Sequence, residues 1–472
     1  MNRRSDIAIV GGGISGVACA WWLRQLGLSA TLIESDTQLG GLIRSRREGG
    51  WLTERAASMV LNFSPLVDNM LRQSRAGRLR CDRLPVGQRY LLREEALKPV
   101  PERLHRLLLG DLIPWKSRLG LLFEAFRPGP AGDSETVADF IRRRLGQELL
   151  DIAIDPYVSA VLACDPEQAD ADAVLPRLKA LERRYGSFTL GMLLKKLLPG
   201  RGGMPQQAFG FQGGMQTLVE TLADEAGSEI LAGHRVEALE PAHHGWRIQL
   251  QNKVGAATLH ASQLILATPA PVSARLLRHS QPDLGAALAA IDHAPLVQVH
   301  LGFDREALAR PLRGNGFLAP GKRRHGLRGS LWISNLLPDR APPDRLLTSN
   351  VLGGAMQREA ADLDDERLLS LALGDLRKLC GVQGEPQFRR IDRHHPGLPL
   401  YHGRYQALTR HLQRLCREQG RLQLCGNYLG GISVRDRLIQ ARNTALQVAE
   451  NLRHQPQSRP LPLAAILGVS GP

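Results

Sequence analysis

The sequence predicts an α/β fold whose main parallel-sheet domain is assembled from separated pieces of chain. Three observations carry this. A glycine-punctuated strand, turn and helix opens the chain in "IAIVGGGISGVACAWWL". A second apolar strand, Ala30-Thr31-Leu32-Ile33, closes on the acid Glu34. The same grammar returns in "GRGGMPQQAFGFQGGMQTLVETLADEAGSEI" and again in "RLQLCGNYLGGISVRDRLIQARNTALQVAENL".

The opening stretch has three readings. Arg3 and Arg4 resemble the charged start of a secretory signal, and Ala18-Cys19-Ala20 resembles a cleavage site. A membrane anchor would need a continuous apolar helix. Asp6 and the run Gly11-Gly12-Gly13 interrupt one. The nucleotide reading fits better. Ile7-Ala8-Ile9-Val10 is the strand, Gly11, Gly13 and Gly16 form G-x-G-x-x-G, and Val17–Leu26 is the helix that stops at Gly27. Glycines at Gly11 and Gly13 let the backbone approach a pyrophosphate at the helix N-terminus. Glu34 lies where a ribose-binding acid belongs, about 20 residues on. A second glycine pair, Gly40-Gly41, follows closely and suggests a longer, two-part cofactor than NAD. An ordinary βαβ unit without a ligand is the simpler alternative.

Length and composition set the bounds. The 472 residues suit two or three domains. Hydrophobic content is 43% but aromatics only 5%, so Leu, Val and Ala must build the cores. Six scattered cysteines without a C-x-x-C pair fit reduced thiols in a cytoplasmic protein, not a disulfide framework or a zinc site. No run of 18 uninterrupted apolar residues suggests a membrane span. The net charge of +15 allows nucleic acid, an anionic membrane surface or an anionic small molecule as partner. The arginines spread over the whole chain and no nucleic-acid motif is present, which disfavours nucleic acid. Runs such as Lys322-Arg323-Arg324 read as solvated loop charge.

The remaining elements follow in order. "RYLLREEALKPVP" reads as short strands. Residues 101–202 read as helical, with Asp133-Ser134 as N-cap of one helix through "ETVADFIRRRLGQELLDIAI". Val137, Phe140, Ile141 and Leu145 mark its apolar face. The Leu-rich basic stretch 103–127 is either helical core or an interfacial patch on lipid. "ILAGHRVEALEP", "GWRIQLQN" and "QLILATPAP" read as strands, 276–415 as mixed strands and helices, and the last 20 residues as a loose tail. No Ser-His-Asp order, G-x-S-x-G or H-E-x-x-H motif occurs. The adjacent pairs His243-His244 and His394-His395 would point to opposite faces of a strand, which speaks against metal chelation. Cys164 reads as a small buried residue rather than a nucleophile.

With these residues in hand, the chain from about residue 5 to 453 resembles the FAD-dependent protoporphyrinogen and coproporphyrinogen oxidases of the flavin amine-oxidase superfamily. The motifs are "VGGGISG", "ESDTQLGGLIRS", "ETVADFIRRRLGQELLDIAIDPYVSAV", "GGMQTLVETLADEAG", "LILATPAPVSARLL", "GFLAP", "DRAP", "GLPLYHGRY" and "CGNYLGGISV". The resemblance implies a Rossmann-type FAD-binding domain built from discontinuous segments (1–75, 203–275 and 416–455), an α+β substrate domain (76–100 and 276–415), a helical, membrane-facing module (101–202) and a tail (456–472). It implies FAD held by Gly11, Gly13, Ser15, Gly16, Glu34, Gly40, Gly41 and Arg44, adenine contact at Val236, and isoalloxazine contact near Ser433 and Val434. A helix starting there would aim its N-terminus at the flavin edge where negative charge gathers on reduction.

The implied substrate site places Arg89 on a propionate and sandwiches the tetrapyrrole between Leu318 and Leu331. The chain departs from the family pattern at several positions. Val351 stands where an aromatic clamps the ring, and Ala160 and Cys164 replace glycines. Arg55-Ala56, His394 and Gly403-Arg404 are further departures. The expected activity is oxidation of a porphyrinogen, protoporphyrinogen IX or coproporphyrinogen III, with O2 or another electron acceptor, and no metal. An amine oxidase or desaturase and a non-catalytic tetrapyrrole- or flavin-binding homologue are the alternatives. The expected location is the cytoplasm. Peripheral membrane contact and a homodimer stay open.

Overall fold

Strand Asn2–Val10 lies at the centre of a seven-stranded sheet, with Ile7, Ala8 and Ile9 fully buried. These coordinates are a computed structural model describing residues 2–84, 87–100, 118, 123–129, 132, 134–197, 204–323 and 325–453. The strand order is Glu229–Ala232, Thr31–Glu34, Asn2–Val10, Ala256–Leu266, Gly245–Gln251, Arg235–Ala242, with Leu422–Leu424 parallel to the end of Ala256–Leu266. The first four strands and Leu422–Leu424 run parallel, and Gly245–Gln251 and Arg235–Ala242 continue the sheet as antiparallel neighbours in a hairpin. A parallel sheet buried on both faces needs near-continuous apolar strands, which explains "IAIV" and "LILA". Ile7 and Ile9 face helices Ile14–Gln25, Gln216–Ala226 and Val434–Arg453, while Ala8 and Val10 face the opposite layer. The Trp22 indole N–H donates to Leu438 O at 3.3 Å, so the first and last helices lie side by side.

A second seven-stranded sheet has the order Phe388–Pro399, His293–Asp304, Arg345–Gly353, Gly329–Leu331, Gly316–Leu318, Arg89–Arg93, Ala96–Val100. Its outer face carries Val297, Val299, Leu301 and Phe317, all buried against helix Asp365–Asp375. Its inner face meets strand Trp51–Glu54, where Trp51 packs on Gly302.

The single helix expected over 135–154 is broken. Its N-cap is Thr136, whose hydroxyl accepts from Asp139 N at 3.1 Å; residue 133 lies outside the described residues. Helix Val137–Leu145 stops because Gly146 adopts φ +91°. A wide turn over Leu150–Ile154 then leads into helix Asp155–Val161, with Pro156 in its first turn. Most of the stretch 103–127 falls outside the described residues. Among the described residues no helix is long and apolar enough to cross a membrane. The Lys322-Arg323 run is not free charge: Arg323 holds Asp375 with two hydrogen bonds of 2.6 and 2.8 Å, because Asp375 lies buried beneath that loop.

Candidate active site

The glycine loop after the first strand is held from three sides. Gly11 N donates to Ile33 O, Gly40 N to Gly12 O, and Ala267 N to Val10 O, each at 2.8 Å. A Cβ on Gly16 would fall on the Gly11 carbonyl oxygen, so only glycine lets the helix approach the strand so closely. Gly13 differs. The nearest described atom to a Cβ there is Gly40 O at 4.0 Å, which leaves open space in front of the loop. Gly40 and Gly41, both at positive φ, close the other side through a parallel bridge between Gly13 and Gly40. Helix Ile14–Gln25 starts at Gly13 with no side-chain cap, and Ser15 sits buried in its first turn.

Glu34 ends the second strand beside this loop. Its Oε2 accepts from Gly12 N at 2.7 Å and its Oε1 from Asp36 N at 2.9 Å. Oε1 also accepts from the Ser35 hydroxyl at 3.1 Å, so Oε2 is the oxygen that retains a lone pair. His234 N donates to Glu34 O at 2.9 Å, which brings Val236 and its bulged strand to the same end. Arg44 reaches Asp36 and Gln38 O at 2.7 Å, and its Nε is buried with no partner among the described residues. At the other end, Ser433 caps helix Val434–Arg453: its hydroxyl accepts from Asp436 N at 3.2 Å. Arg437, fully buried in the next turn, donates to Gly426 O and Leu429 O and shapes the loop before that cap.

The residues that the resemblance assigns to the substrate come together through strand register, which sequence spacing does not show. One row across the inner face of the second sheet reads Asp392, Gln298, Val351, Gly329, Leu318, Leu91. The next row on the same face reads Arg390, His300, Ser349, Leu331, Gly316, Arg89. So Arg89, Leu318, Leu331 and Val351 share one face. The three apolar side chains are half-buried and Arg89 is exposed, whereas the opposite face is sealed. Ala160 joins them. Its Cβ lies 3.9 Å from where a Cβ on Gly329 would stand, next to Leu318. Helix Asp155–Val161 is pinned there by Asp155, which accepts from Gly321 N at 3.0 Å and Ser159 Oγ at 2.7 Å.

Gln298, His300 and Arg390 were not singled out from sequence; Arg55, His394, Cys164 and the His243-His244 pair were. Residues 51–55 cross the end of the inner face. Trp51 packs flat on Gly302, leaving 2.6 Å for any Cβ, and stacks on Phe388. Thr53 Oγ1 accepts from Arg390 at 2.7 Å, and His394 Nε2 lies 2.8 Å from Arg55 O. Between them Glu54 turns toward the cofactor loops. It takes the Ser45 hydroxyl at 2.6 Å and Met215 N at 3.0 Å. Burial pushes its carboxyl up to about 7, against Arg340, Ser45 and Met215. His300 is fully buried, with Nδ1 2.9 Å from Ser349 Oγ, and burial pushes it down to about 3. The signal for Gln298 and His300 was visible: polar residues two apart in the otherwise apolar "PLVQVHLGF". Cys164 is buried and its thiol is pushed up to about 12, as a packing residue's would be. His243 and His244 sit in a hairpin turn with ring nitrogens 2.9 Å apart, not on opposite strand faces. Among the described residues no metal-ligating cluster occurs.

A family model described as flavin containing amine oxidoreductase matches residues 14–449. The chain belongs to that family. It is a flavin-dependent oxidoreductase, and its cofactor is FAD. The chain is 28% identical to protoporphyrinogen oxidase 2 of Arabidopsis thaliana, over 91% of this chain and 90% of the relative. It is 25% identical to coproporphyrinogen III oxidase of Bacillus subtilis (strain 168), over 93% of this chain and 97% of the relative. A solved structure from Exiguobacterium sp. 255-15, described as a candidate protoporphyrinogen oxidase, shares the fold with TM-score 0.78 and 23% identity, covering 96% of this chain and 99% of that one. The residues present fit the cofactor: the uncapped helix start, the open space at Gly13 and the orphaned Arg44 Nε are what a pyrophosphate would complete.

Proposed function

We propose that this protein oxidises a porphyrinogen to a porphyrin, with protoporphyrinogen IX and coproporphyrinogen III as the candidate substrates. The observation that carries this reading is the inner-face register, which lines up Arg89, Leu318, Leu331 and Val351 with Ala160 across from them. A sheet face of half-buried Leu and Val suits a flat apolar macrocycle, and an exposed guanidinium on the same face suits a carboxylate held by two parallel hydrogen bonds. The relatives' names point to the same class of substrate.

FAD, when bound, supplies the two-electron acceptor. Gly11, Gly13, Ser15, Gly16, Gly40, Gly41 and Arg44 would hold its pyrophosphate and neighbouring groups, Glu34 its ribose, Val236 its adenine, and Ser433 and Val434 its ring system. The chain's own residues orient the substrate. Arg89 fixes one propionate. Leu318 and Leu331 exclude water from the macrocycle's faces. Val351 and Ala160 set the width available to the macrocycle. O2 or another acceptor takes the electrons onward. The stretch 103–127 is proposed to rest on a membrane surface. Phe123 and Phe126, 60% and 84% exposed, support that.

The test mixes FAD-loaded protein anaerobically with each porphyrinogen, then admits air and follows porphyrin fluorescence against an enzyme-free control. Bleaching of the flavin band by either substrate is expected. No bleaching by either, with FAD bound, would overturn the reading in favour of a binding homologue or another apolar substrate.

A further inference from the structure

Gln298 stands in the middle of the inner face, between Val351 on one neighbouring strand and Asp392 on the other. Both pairs belong to antiparallel ladders, in which directly opposed residues sit about 5 Å apart and point to the same side. The register therefore puts the Gln298 side chain against Val351, in the row that continues through Gly329 to Leu318.

The residue is 8% exposed, and among the described residues its amide has no hydrogen-bond partner. Its polar neighbours on that face are satisfied at least once. His300 Nδ1 lies 2.9 Å from Ser349 Oγ, Arg390 donates to Thr53 Oγ1 at 2.7 Å, and His394 Nε2 lies 2.8 Å from Arg55 O. A buried amide without a partner lowers stability, so its place here asks for a ligand. The chain also orients it. Asp392 is buried, with Oδ1 3.5 Å from Arg46 and Oδ2 without a hydrogen-bond partner. An acid on one side and an apolar side chain on the other turn the NH2 end of the amide toward Asp392 and its carbonyl toward Val351. The inner face thus offers one inward acceptor among apolar side chains.

We propose that Gln298 is a specificity-determining residue whose carbonyl accepts a hydrogen bond from a pyrrole N–H of the substrate as the ring lies against Val351. This rests on the porphyrinogen reading and deepens it. A porphyrinogen carries four pyrrole N–H donors, and its saturated bridges let each pyrrole tilt its N–H out of the ring plane. The porphyrin is flat and keeps two N–H groups, both turned into the ring. The amide therefore holds the reduced macrocycle and has nothing to hold in the oxidised one, which favours substrate over product at the same face.

The experiment measures KM for the porphyrinogen that the FAD-loaded full chain oxidises, and the inhibition constant of the corresponding porphyrin, in wild type and in Gln298→Met. Methionine keeps the length and bulk of the side chain and removes the amide. KM should rise about tenfold, the value of one hydrogen bond, while the porphyrin's inhibition constant stays within about twofold. The melting temperature should hold or rise, because an unpaired buried amide is gone. An unchanged KM would overturn the proposal, and so would an equal rise in both constants, which would mark a residue that only shapes the site. Weaker FAD binding with KM unchanged would assign the amide to the flavin and overturn it as well. A fall in melting temperature with KM unchanged would make Gln298 a core residue. If wild-type protein oxidises no porphyrinogen, the broader reading fails first. Should Gln298→Met not fold, Gln298→Leu carries the same comparison.

Discussion

The Ser45 hydroxyl donates to Glu54 Oε2 at 2.6 Å, while Ser45 Oγ accepts from Gln216 N at 3.0 Å. This pair ties the Gly40–Ser45 loop to the start of helix Gln216–Ala226, two pieces of chain far apart in sequence. Gly214 leaves no room for a side chain there, since a Cβ would fall on Ser45 Oγ. The latch also faces the segment that crosses the substrate sheet. Glu54→Ala would orphan the Met215 N–H and the Ser45 hydroxyl and should cost about 2–4 kcal/mol of stability. Flavin retention in gel filtration should fall with it. An unchanged melting temperature and full flavin content would remove the latch from the account.

The two glycines of the opening loop should fail differently. Gly16→Ala drives a methyl into the Gly11 carbonyl and should destabilise the apoprotein by about 3 kcal/mol or more. Gly13→Ala meets no described atom closer than 4.0 Å and should leave the apoprotein within about 1 kcal/mol of wild type. It should nonetheless bind FAD at least tenfold more weakly. Calorimetry of both apoproteins and flavin titration separate the effects. Full-affinity binding by Gly13→Ala would move the pyrophosphate away from this loop.

Leu331 is half-buried on the inner face, so its truncation should be felt by substrate more than by the fold. Leu331→Ala is expected to raise KM for the accepted porphyrinogen about tenfold, near the value of a lost Leu contact. The melting temperature should shift by only a few degrees. A large stability loss with unchanged KM would mean that Leu331 belongs to the core.

His300 and Glu54 give opposite pH signatures. His300 is pushed down to about 3, so its contribution to stability is present above its ordinary value of 6.5 and is lost as pH falls toward 3. Glu54 is pushed up to about 7, so its contribution is present below 4.5 and is lost as pH rises through 7. Between 4.5 and 6.5 the two slopes cancel. Replacing His300 with Gln should break that balance. The variant should gain on wild type by about 1.4 kcal/mol for each pH unit below 6.5. Denaturant unfolding at pH 7, 6 and 5 measures the difference directly. A constant gap between the two proteins would mean that His300 is not held neutral.

Much of the dinucleotide end was legible locally. The strand over Ile7–Val10, the helix after Gly13 and the strand ending at Glu34 follow from apolar runs, glycine punctuation and an acid at fixed spacing, all within the first 34 residues. Helix boundaries shifted by a few residues, and the long central helix broke at Gly146. Backbone conformation at one glycine outweighs a continuous apolar face.

The inner face was a different matter. Arg89, Ala160, Leu318, Leu331 and Val351 were named from a resemblance, not from pattern, because they come from five separate segments. The meeting of Arg89, Leu318, Leu331 and Val351 depends on strand register, and a slip of one residue in its strand would turn any of these four to the sealed side. The sequence alone determined the local grammar of strands, glycine turns and helix starts, since those are set by neighbours along the chain. Only the tertiary structure decided which side chains share a face. It also decided which carboxyl and imidazole are driven toward neutrality, because burial belongs to the packed molecule and not to any stretch of it.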